Sequence, residues 1–539
     1  MPARPHLRRA VAAVLLLGVW WACLWAYTTS NRFPYQYHAD EGGKVRQVIS
    51  VMTSADGTGE RNFNHPQLLL EATQVAVRWL GTDPHPQAVV VIGRTVSAVC
   101  CAVGVVALAW ALYLSGGLAG LLAGAVAAGL CPMLLAHSHA MKEDAALAGG
   151  LMLTVFAGRL LWVARTAWGR TLSTLLLGFA TGAAASGKYV GLAAAAFAVP
   201  AVLLAPSARW HDRLLRPLLL VAAMAVSIAL INHRVYADWD TWNRFLEGVQ
   251  REYDHSQTDH MGVMMDRPNG YFVGVLREQT PLVVRALALS SPLVLICGGV
   301  AWAYRRRRGL LAWRPTGWDG LVVLFPGVLL WITSYSAVAA PRYALPAVVM
   351  TWFCAAATSL WLGRLVGRPW ARVAAPLLFA ALAAAWAVPR DASYVKQFGD
   401  DSRQRLRAWL LANAPRGSTV VADGYAGLTA PPYDLQPDGL DAHVNVYAQM
   451  FAPDFGSTEA LAAGGVDYVA IADIAYSRFF NPHAKPAEGE ADAFDRRRAW
   501  YAKLLRDGQP VWASEPDYPM SGPMSGFTNP RIRVYKVPN

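Results

Sequence analysis

Residues 10–27 read AVAAVLLLGVWWACLWAY, eighteen positions without a charge. As a helix this stretch reaches about 27 Å at 1.5 Å per residue, close to the roughly 30 Å hydrocarbon thickness of a bilayer. Arg4, Arg8 and Arg9 precede it and hold the N-terminus on the cytoplasmic side. The span is Trp-rich and has no Ala-x-Ala exit, so it reads as an uncleaved first helix rather than a signal peptide. The next segment, Tyr37-His38-Ala39-Asp40-Glu41-Gly42-Gly43, therefore emerges on the far side with two adjacent carboxylates. An isolated acidic pair is ordinarily a solvated loop. Here the other polar residues of the membrane region fall on the same face.

Apolar spans recur at about 10–27, 88–113, 117–136, 145–164, 171–187, 189–205, 214–235, 281–303, 318–338, 343–363 and 371–389. About eleven helices are expected. Threading them from a cytoplasmic N-terminus puts Arg165/Arg170, Arg209/Arg213/Arg216, Arg305–Arg314 and Arg364/Arg368/Arg372 all in the cytoplasm. Four independent loops agree, and an odd number of spans sends the C-terminus outside. The same threading places Asp40-Glu41, His65-Pro66, His137–Asp144, Lys188-Tyr189, the loop 236–280 and Arg342-Tyr343 on the outer face. Charges at those helix ends are not cytoplasmic anchors, and ionisable residues in or beside a membrane usually mark a working site.

Composition fits this class. Hydrophobic residues make up 55% of the 539 positions and charged ones 16%, with a mean hydropathy of +0.27. That is a polytopic membrane protein with room for one soluble domain. The net charge of +12 does not point to nucleic acid. Residues 390–539 hold sixteen basic and eighteen acidic side chains, so the excess lies in the membrane part. The densest cluster, Arg305 to Arg308, lacks the interleaved aromatics of a single-strand binder. All 6 cysteines lie in apolar spans without a Cys-x-x-Cys, which argues against a structural disulfide or zinc knuckle. Ala- and Arg-rich composition suggests a high-GC bacterium.

The outer loops have helical patterns of their own. Apolar residues beyond Pro66 suggest an amphipathic helix lying on the membrane. In 236–280, Trp242, Phe245, Val249 and Tyr253 recur opposite Arg244, Glu247 and Arg251, again as an interfacial helix. No repeat of 20–50 residues is evident. The chain divides into 1–389, the membrane part, and 390–539, where charge rises and Pro and Gly punctuate the sequence. In the second part Ser402–Ala412 and Ala493–Arg506 read as helices, and Ser418–Ala422, Val466–Ile471 and Ile532–Val537 as strands. Together they predict a small α/β domain outside the membrane. It contains no Gly-x-Gly-x-x-Gly and no Walker sequence.

The outer face thus gathers carboxylates, a Lys and an Arg at the ends of different helices. A carboxylate can deprotonate a hydroxyl. Lys188 and Arg342 can neutralise a phosphate, one as a point charge and one as a planar fork. A water-side site against lipid suits a substrate with a lipid tail and a phosphate head, the profile of a polyprenyl-phosphate sugar.

In these motifs the chain resembles the lipid-carrier-dependent glycosyltransferases of the GT-C fold, in the family 39 group of protein O-mannosyltransferases and lipid A aminoarabinose transferases. The resemblance covers most of the chain. It rests on Asp40-Glu41 after the first helix, Asn62-Phe63-Asn64-His65-Pro66, Arg94, His137-Ser138-His139-Ala140-Met141-Lys142-Glu143-Asp144, and Ser186-Gly187-Lys188-Tyr189. His260-Met261-Gly262, Pro341-Arg342-Tyr343-Ala344-Leu345-Pro346 and the terminal Gly465–Val469 and Arg533-Val534-Tyr535 complete it. The resemblance implies that Asp40 is the general base and that Glu41 orients it or binds the acceptor. It implies that Lys188 and Arg342 hold the departing polyprenyl phosphate, with Tyr189, Tyr343 and Arg94 alongside. It further implies an acceptor or second acidic site made of His65, His139, Lys142, Glu143, Asp144 and His260. Transfer in this family inverts the anomeric centre, and the acceptor is a protein, glycolipid or polysaccharide. The expected location is a bacterial inner membrane with the active site and C-terminal domain on the extracytoplasmic side.

Plainer accounts stand beside these. His139, Glu143 and Asp144 offer ligands for a divalent metal, yet a polar turn capping a helix uses the same residues. Arg94 either pairs with Asp40 or Glu41 or snorkels to the headgroups. Gly187 lets helices pack closely. Two other classes compete: a transporter of lipid-linked sugar using the same charges without chemistry, and a membrane-anchored assembly protein. The latter leaves Lys188 and Arg342 unexplained.

Overall fold

The computed structural model describes residues 5–55, 59–206, 210–257, 262–265, 269–308, 313–338, 340–429, 439–514 and 528–538. Each of the eleven expected apolar stretches is helical. Helix α1 is Pro5–Thr28, and the first outer loop carries α2 (Glu41–Thr53) and α3 (Leu68–Trp79). Helix α4 (Pro86–Gly129) is followed by α5 (Pro132–Ser138), α6 (Glu143–Val163), α7 (Ala167–Gly187), α8 (Ala195–Leu204) and α9 (Trp210–Ile231). The second outer loop holds α10 (Trp239–Gln257), β1 (Val263–Met265) and α11 (Asn269–Glu278). Helices α12 (Leu282–Arg307), α13 (Gly317–Thr333), α14 (Leu345–Val366) and α15 (Ala371–Gly399) complete the membrane region. Among the described residues, seven helices are long and apolar enough to cross a bilayer, and Tyr189–Leu204 and Gly317–Thr333 are shorter apolar ones. The chain is a multi-pass membrane protein.

Two expected spans, 88–113 and 117–136, share α4. The break falls at Gly117, whose φ of 64° and ψ of −150° no L side chain adopts comfortably. The helix therefore doubles back without a loop. Packing inside the bundle depends on small residues. A Cβ on Gly187 would lie 2.6 Å from the Leu147 amide nitrogen, and one on Gly150 would lie 2.5 Å from Ala184 Cα. Close approach of α6 and α7 at these points brings the end of α7 beside the start of α6.

The outer loop 28–87 is more ordered than its polarity suggests, since α2 and α3 occupy much of it. Val45, Val48, Leu69 and Val77 pack with Val89 and Val90 of α4 as a small core. The amphipathic pattern beyond Pro66 thus finds protein on its apolar side. On α10, Phe245 packs against Phe63 and Tyr189.

Helix α15 runs ten residues past the expected boundary at 389 and hands over directly to α16 (Ser402–Asn413). Beyond it lie β2 (Thr419–Asp423), β3 (Asn445–Gln449), β4 (Tyr468–Ala472), β5 (Ala484–Pro486), the helix Ala491–Asp507, β6 (Pro510–Ala513) and β7 (Ile532–Lys536). The main sheet has the order β3-β2-β4-β7-β6, with β2 parallel to β3 and β4, and β7 antiparallel to β4 and β6. Side chains alternate between its faces. Val421, Val469 and Tyr535 meet Phe494 and Tyr501 on one side. Val420, Ala470 and Val534 meet Leu406 and Leu410 on the other. The edge strands β3 and β6 add to the three expected ones; β3 is half exposed along its length and carries no strong apolar alternation. A second, two-stranded sheet joins β1 of the outer loop to β5.

Candidate active site

Consecutive residues at a helix start differ by about 100° in direction, and this separates the acidic pair. Asp40 precedes α2 and makes no side-chain cap. Its carboxylate, 42% exposed, opens onto a polar cavity of about 490 Å³. Glu41 turns the other way. It is fully buried and receives Arg94 in a fork, Nε to Oε1 at 3.1 Å and Nη2 to Oε2 at 2.7 Å. The backbone N–H groups of Tyr37 and Met141 also donate to Glu41, each at 2.8 Å.

Arg94 itself is fully buried. Its remaining N–H groups donate to the carbonyls of Asn31, Phe33 and Tyr35 at 2.7–3.0 Å. Neither Glu41 nor Arg94 lines the cavity. The alternative that Glu41 binds the acceptor, and the expectation that Arg94 holds the donor phosphate, are therefore corrected. Together the pair locks the 31–41 segment that presents Asp40, and of the two accounts of Arg94, pairing replaces snorkelling.

Around Asp40 the charges interlock. Lys142 donates to the Asp40 carboxylate and lies 3.2 Å from Glu143. Lys44 bonds Glu143 at 2.7 Å. Lys188, placed at the end of α7, donates to Asp144 at the start of α6 at 3.0 Å. Cations outnumber acids on the cavity wall: Lys44, Arg46, Lys142, Lys188, Arg251 and Arg342 against Asp40, Glu143 and Glu252.

Burial acts to raise the Asp40 carboxyl. Lys142, His38, Lys44 and Arg342 outweigh it and hold Asp40 well below the usual carboxylate range. Burial likewise acts to lower Lys142, but Glu143 and Asp40 raise it overall. Burial pushes His65 down to about 3, against the pull of Glu143. His65 is thus neutral at ordinary pH, and its 3.9 Å approach to Glu252 is not an ion pair of charges.

A second cavity, about 370 Å³ and mainly apolar, opens from the first. Asp144, Tyr189, Val190, Val249, Tyr253, Ile332 and Pro346 are among the residues that line it. Lys188, Glu252, Arg342 and Tyr343 belong to both cavities. At that seam the Lys188 ammonium lies 4.7 Å from the centre of the Tyr343 ring, and the Arg342 guanidinium carbon 5.3 Å. The Tyr189 hydroxyl donates to the Phe63 carbonyl at 2.7 Å, tying the apolar cavity to the first outer loop.

Asp40, His65, Lys142, Glu143, Asp144, Lys188, Tyr189, Arg342 and Tyr343 therefore come together from five separate stretches of chain. His139 does not join them. It is buried, stacks on Phe398 at 3.8 Å and bonds the Leu135 carbonyl through Nδ1 at 2.9 Å. Its assignment to the acceptor or metal site is corrected on that ground. His260 lies outside the described residues. Among the described residues no three His, Cys, Asp or Glu side chains converge as metal ligands. Glu143 and Asp144 are each bonded to a lysine through one carboxylate oxygen. Sequence reading missed Lys44, Arg46, Arg251 and Glu252. For Lys44 a signal existed, since it sits four residues beyond Asp40, one helical turn along the same face.

The C-terminal region reaches the same loop. Arg403 bonds Asp401 through Nε and Nη2, both at 2.8 Å, and donates to the Gln36 carbonyl at 2.6 Å. The Tyr37 hydroxyl donates to the Phe398 carbonyl at 2.8 Å. These contacts hold the segment leading to Asp40 from behind.

No family model matches the sequence, and no curated protein matches it either. Solved structures do match. ArnT from Cupriavidus metallidurans in the apo state is 13% identical, with 98% of this chain and 97% of that chain covered at a TM-score of 0.51. The same protein bound to undecaprenyl phosphate is 13% identical, with 98% of each chain covered and a TM-score of 0.50. The likeness spans nearly the whole chain, membrane helices and C-terminal region alike: this chain has the GT-C fold.

Proposed function

We propose that this protein is an inverting glycosyltransferase that moves a sugar from a polyprenyl-phosphate carrier to an acceptor hydroxyl. The reaction takes place on the extracytoplasmic face of a bacterial inner membrane, with residues 390–539 as a soluble α/β domain on that side. The observation that carries this reading is the shared wall of the two cavities. A phosphate at Lys188 and Arg342 would place its prenyl chain in the apolar cavity and its sugar in the polar one, facing Asp40. The structure of ArnT bound to undecaprenyl phosphate, which has the same fold, supports such a donor.

In the transfer, the acceptor oxygen attacks the anomeric carbon from the Asp40 side while the bond to the phosphate oxygen breaks on the Lys188 side. Opposite faces give inversion. The depressed pKa makes Asp40 a weak base at rest. It takes the proton late, when the forming glycosidic bond has made the hydroxyl strongly acidic. The electron pair leaves on the carrier phosphate, where Lys188 and Arg342 balance the added charge. Lys44 and Lys142 add to the positive field of the same wall. A carrier protein would use Lys188 and Arg342 as well, but it would gain nothing from a carboxylate across the sugar space. The acceptor, whether protein, glycolipid or polysaccharide, enters from the polar end past Arg46 and Arg251.

The test is purified protein given undecaprenyl-phosphate-linked pentoses and hexoses, with released undecaprenyl phosphate measured. Slow release to water is expected from the correct donor. Binding of a donor without release from any of them would make the protein a carrier. Mass spectrometry of surface glycans in a strain lacking the protein then identifies the product.

A further inference from the structure

At the helix ends opposite the Asp40 cavity lies another cavity, about 420 Å³, lined by Ser115, Gly116, Arg305, Trp313, Leu360, Arg364 and Arg372. It sits where α4 bends, where α12 and α14 end and where α15 begins. Basic residues are ordinary on this side of a membrane protein, so their number alone says nothing. Their direction does. Arg306, Arg307, Arg308 and Arg368 are exposed, and Arg306 and Arg308 lie over Trp302 and Tyr304. Arg305 and Arg364, both half-buried, and Arg372, itself exposed, come from three different helices and line one hollow.

The Arg305 guanidinium lies against Gly367, the turn that ends α14: a Cβ there would meet its Nη1 at 3.2 Å. Arg364 lies 6.0 Å from the Trp313 ring centre. Among the described residues no carboxylate forms an ion pair with any of the three arginines. The acid that acts on Arg364, Asp319, is engaged by Thr316 and the Trp361 indole at 2.7–3.0 Å. Trp302, Trp313 and Trp370 mark the level of the headgroups.

The geometry points to a binding site for the phosphate head of an anionic phospholipid. Three guanidinium groups with no carboxylate bonded to them among the described residues would share one or two phosphates, and Trp313 and the flanking helices would take the start of the acyl chains. Basic pockets between helix ends at this membrane level suit compact anionic headgroups such as that of cardiolipin. A soluble phosphate offers the same charge without the chains, so the test separates the two.

The test is native mass spectrometry of the full chain in detergent with added cardiolipin, phosphatidylcholine or inorganic phosphate. Cardiolipin should bind in preference to phosphatidylcholine. Replacing Arg305, Arg364 and Arg372 together by Gln should weaken it about a hundredfold, and each alone about fivefold, at the usual contribution of a basic residue to anionic-lipid attraction. The matched triple of Arg306→Gln, Arg307→Gln and Arg368→Gln removes the same charge outside the cavity and should bind nearly as the parent does. Equal losses in the two triples would overturn the site, as would inorganic phosphate displacing cardiolipin at similar concentration. Should the cavity triple fail to fold, the single variants and the unmodified chain still decide. Cardiolipin should raise the melting temperature of the latter more than phosphatidylcholine does, and an equal effect would count against the proposal.

Discussion

Lys142 donates to the Asp40 carboxylate across 102 residues of sequence, so the group proposed to take the acceptor proton begins ion-paired. An acceptor hydroxyl must share or displace that contact. Asp40→Asn keeps size and polarity but cannot accept a proton. Transfer should fall by roughly a hundredfold or more, the usual scale for a lost general base, with donor binding retained. Turnover at saturating donor and acceptor checks this, and near-normal turnover would move the role to Glu143 or Asp144.

The same ion pair sets the pH response. With Asp40 held well below the usual range, its carboxylate stays charged as pH falls, and no acid limb from it should appear between roughly pH 5 and 7. In Lys142→Gln the effect of burial is less opposed, so the pKa rises and any loss of transfer on acidification should begin at higher pH than in the parent. A profile of kcat against pH distinguishes the two. Identical profiles for parent and variant would deny Lys142 this influence.

Lys188 and Arg342 flank the seam between the cavities. Lys188→Gln and Arg342→Gln should each raise the KM for the polyprenyl-phosphate sugar and slow departure of the phosphate. About tenfold per residue is expected, the order of one lost charge-assisted contact. Unchanged donor affinity in both variants would remove them from the phosphate site.

Glu41→Gln leaves Arg94 buried without its counter-ion. Removing one partner of such a pair costs about 3–5 kcal/mol, so the variant should melt far below the parent in detergent. The surviving folded fraction should turn over normally. A selective loss of kcat at unchanged stability would return Glu41 to the chemistry.

Sidedness follows from the basic loops. Reporter fusions placed after Arg308 and after Gly399 should report opposite compartments, the second outside the cytoplasm. A shared compartment would invert or break the threading.

The bundle was largely legible because hydropathy acts locally: a run such as Ala10–Tyr27, or the stretch 343–363, must be helical in lipid whatever surrounds it. The α/β character of 390–539 was legible from β-branched runs such as Thr419-Val420-Val421, while Asn445–Gln449, with little apolar pattern, was recognisable only by its neighbour β2. The site was half legible. Lys188 and Arg342 stand out because charge at the end of an apolar run is costly without a purpose. Which of Asp40 and Glu41 faces the polar cavity depends on one residue's phase at the start of α2, and no adjacent-residue pattern reports that. His139 misled for a related reason: its partner, Phe398, lies far away in the chain.

Helix α14 is almost wholly enclosed, with 94% of its apolar window buried, whereas those of α1, α9 and α12 are 22% buried. Arg342 stands just before its first residue and Arg364 near its last. Its 22 residues make a rod of about 33 Å. When bilayer thickness changes, the lipid-facing helices must tilt to match it, but this central rod is shielded from the acyl chains. The distance from the seam between the two cavities to the Arg364 end of the helix is therefore fixed by protein, whatever the thickness of the surrounding bilayer.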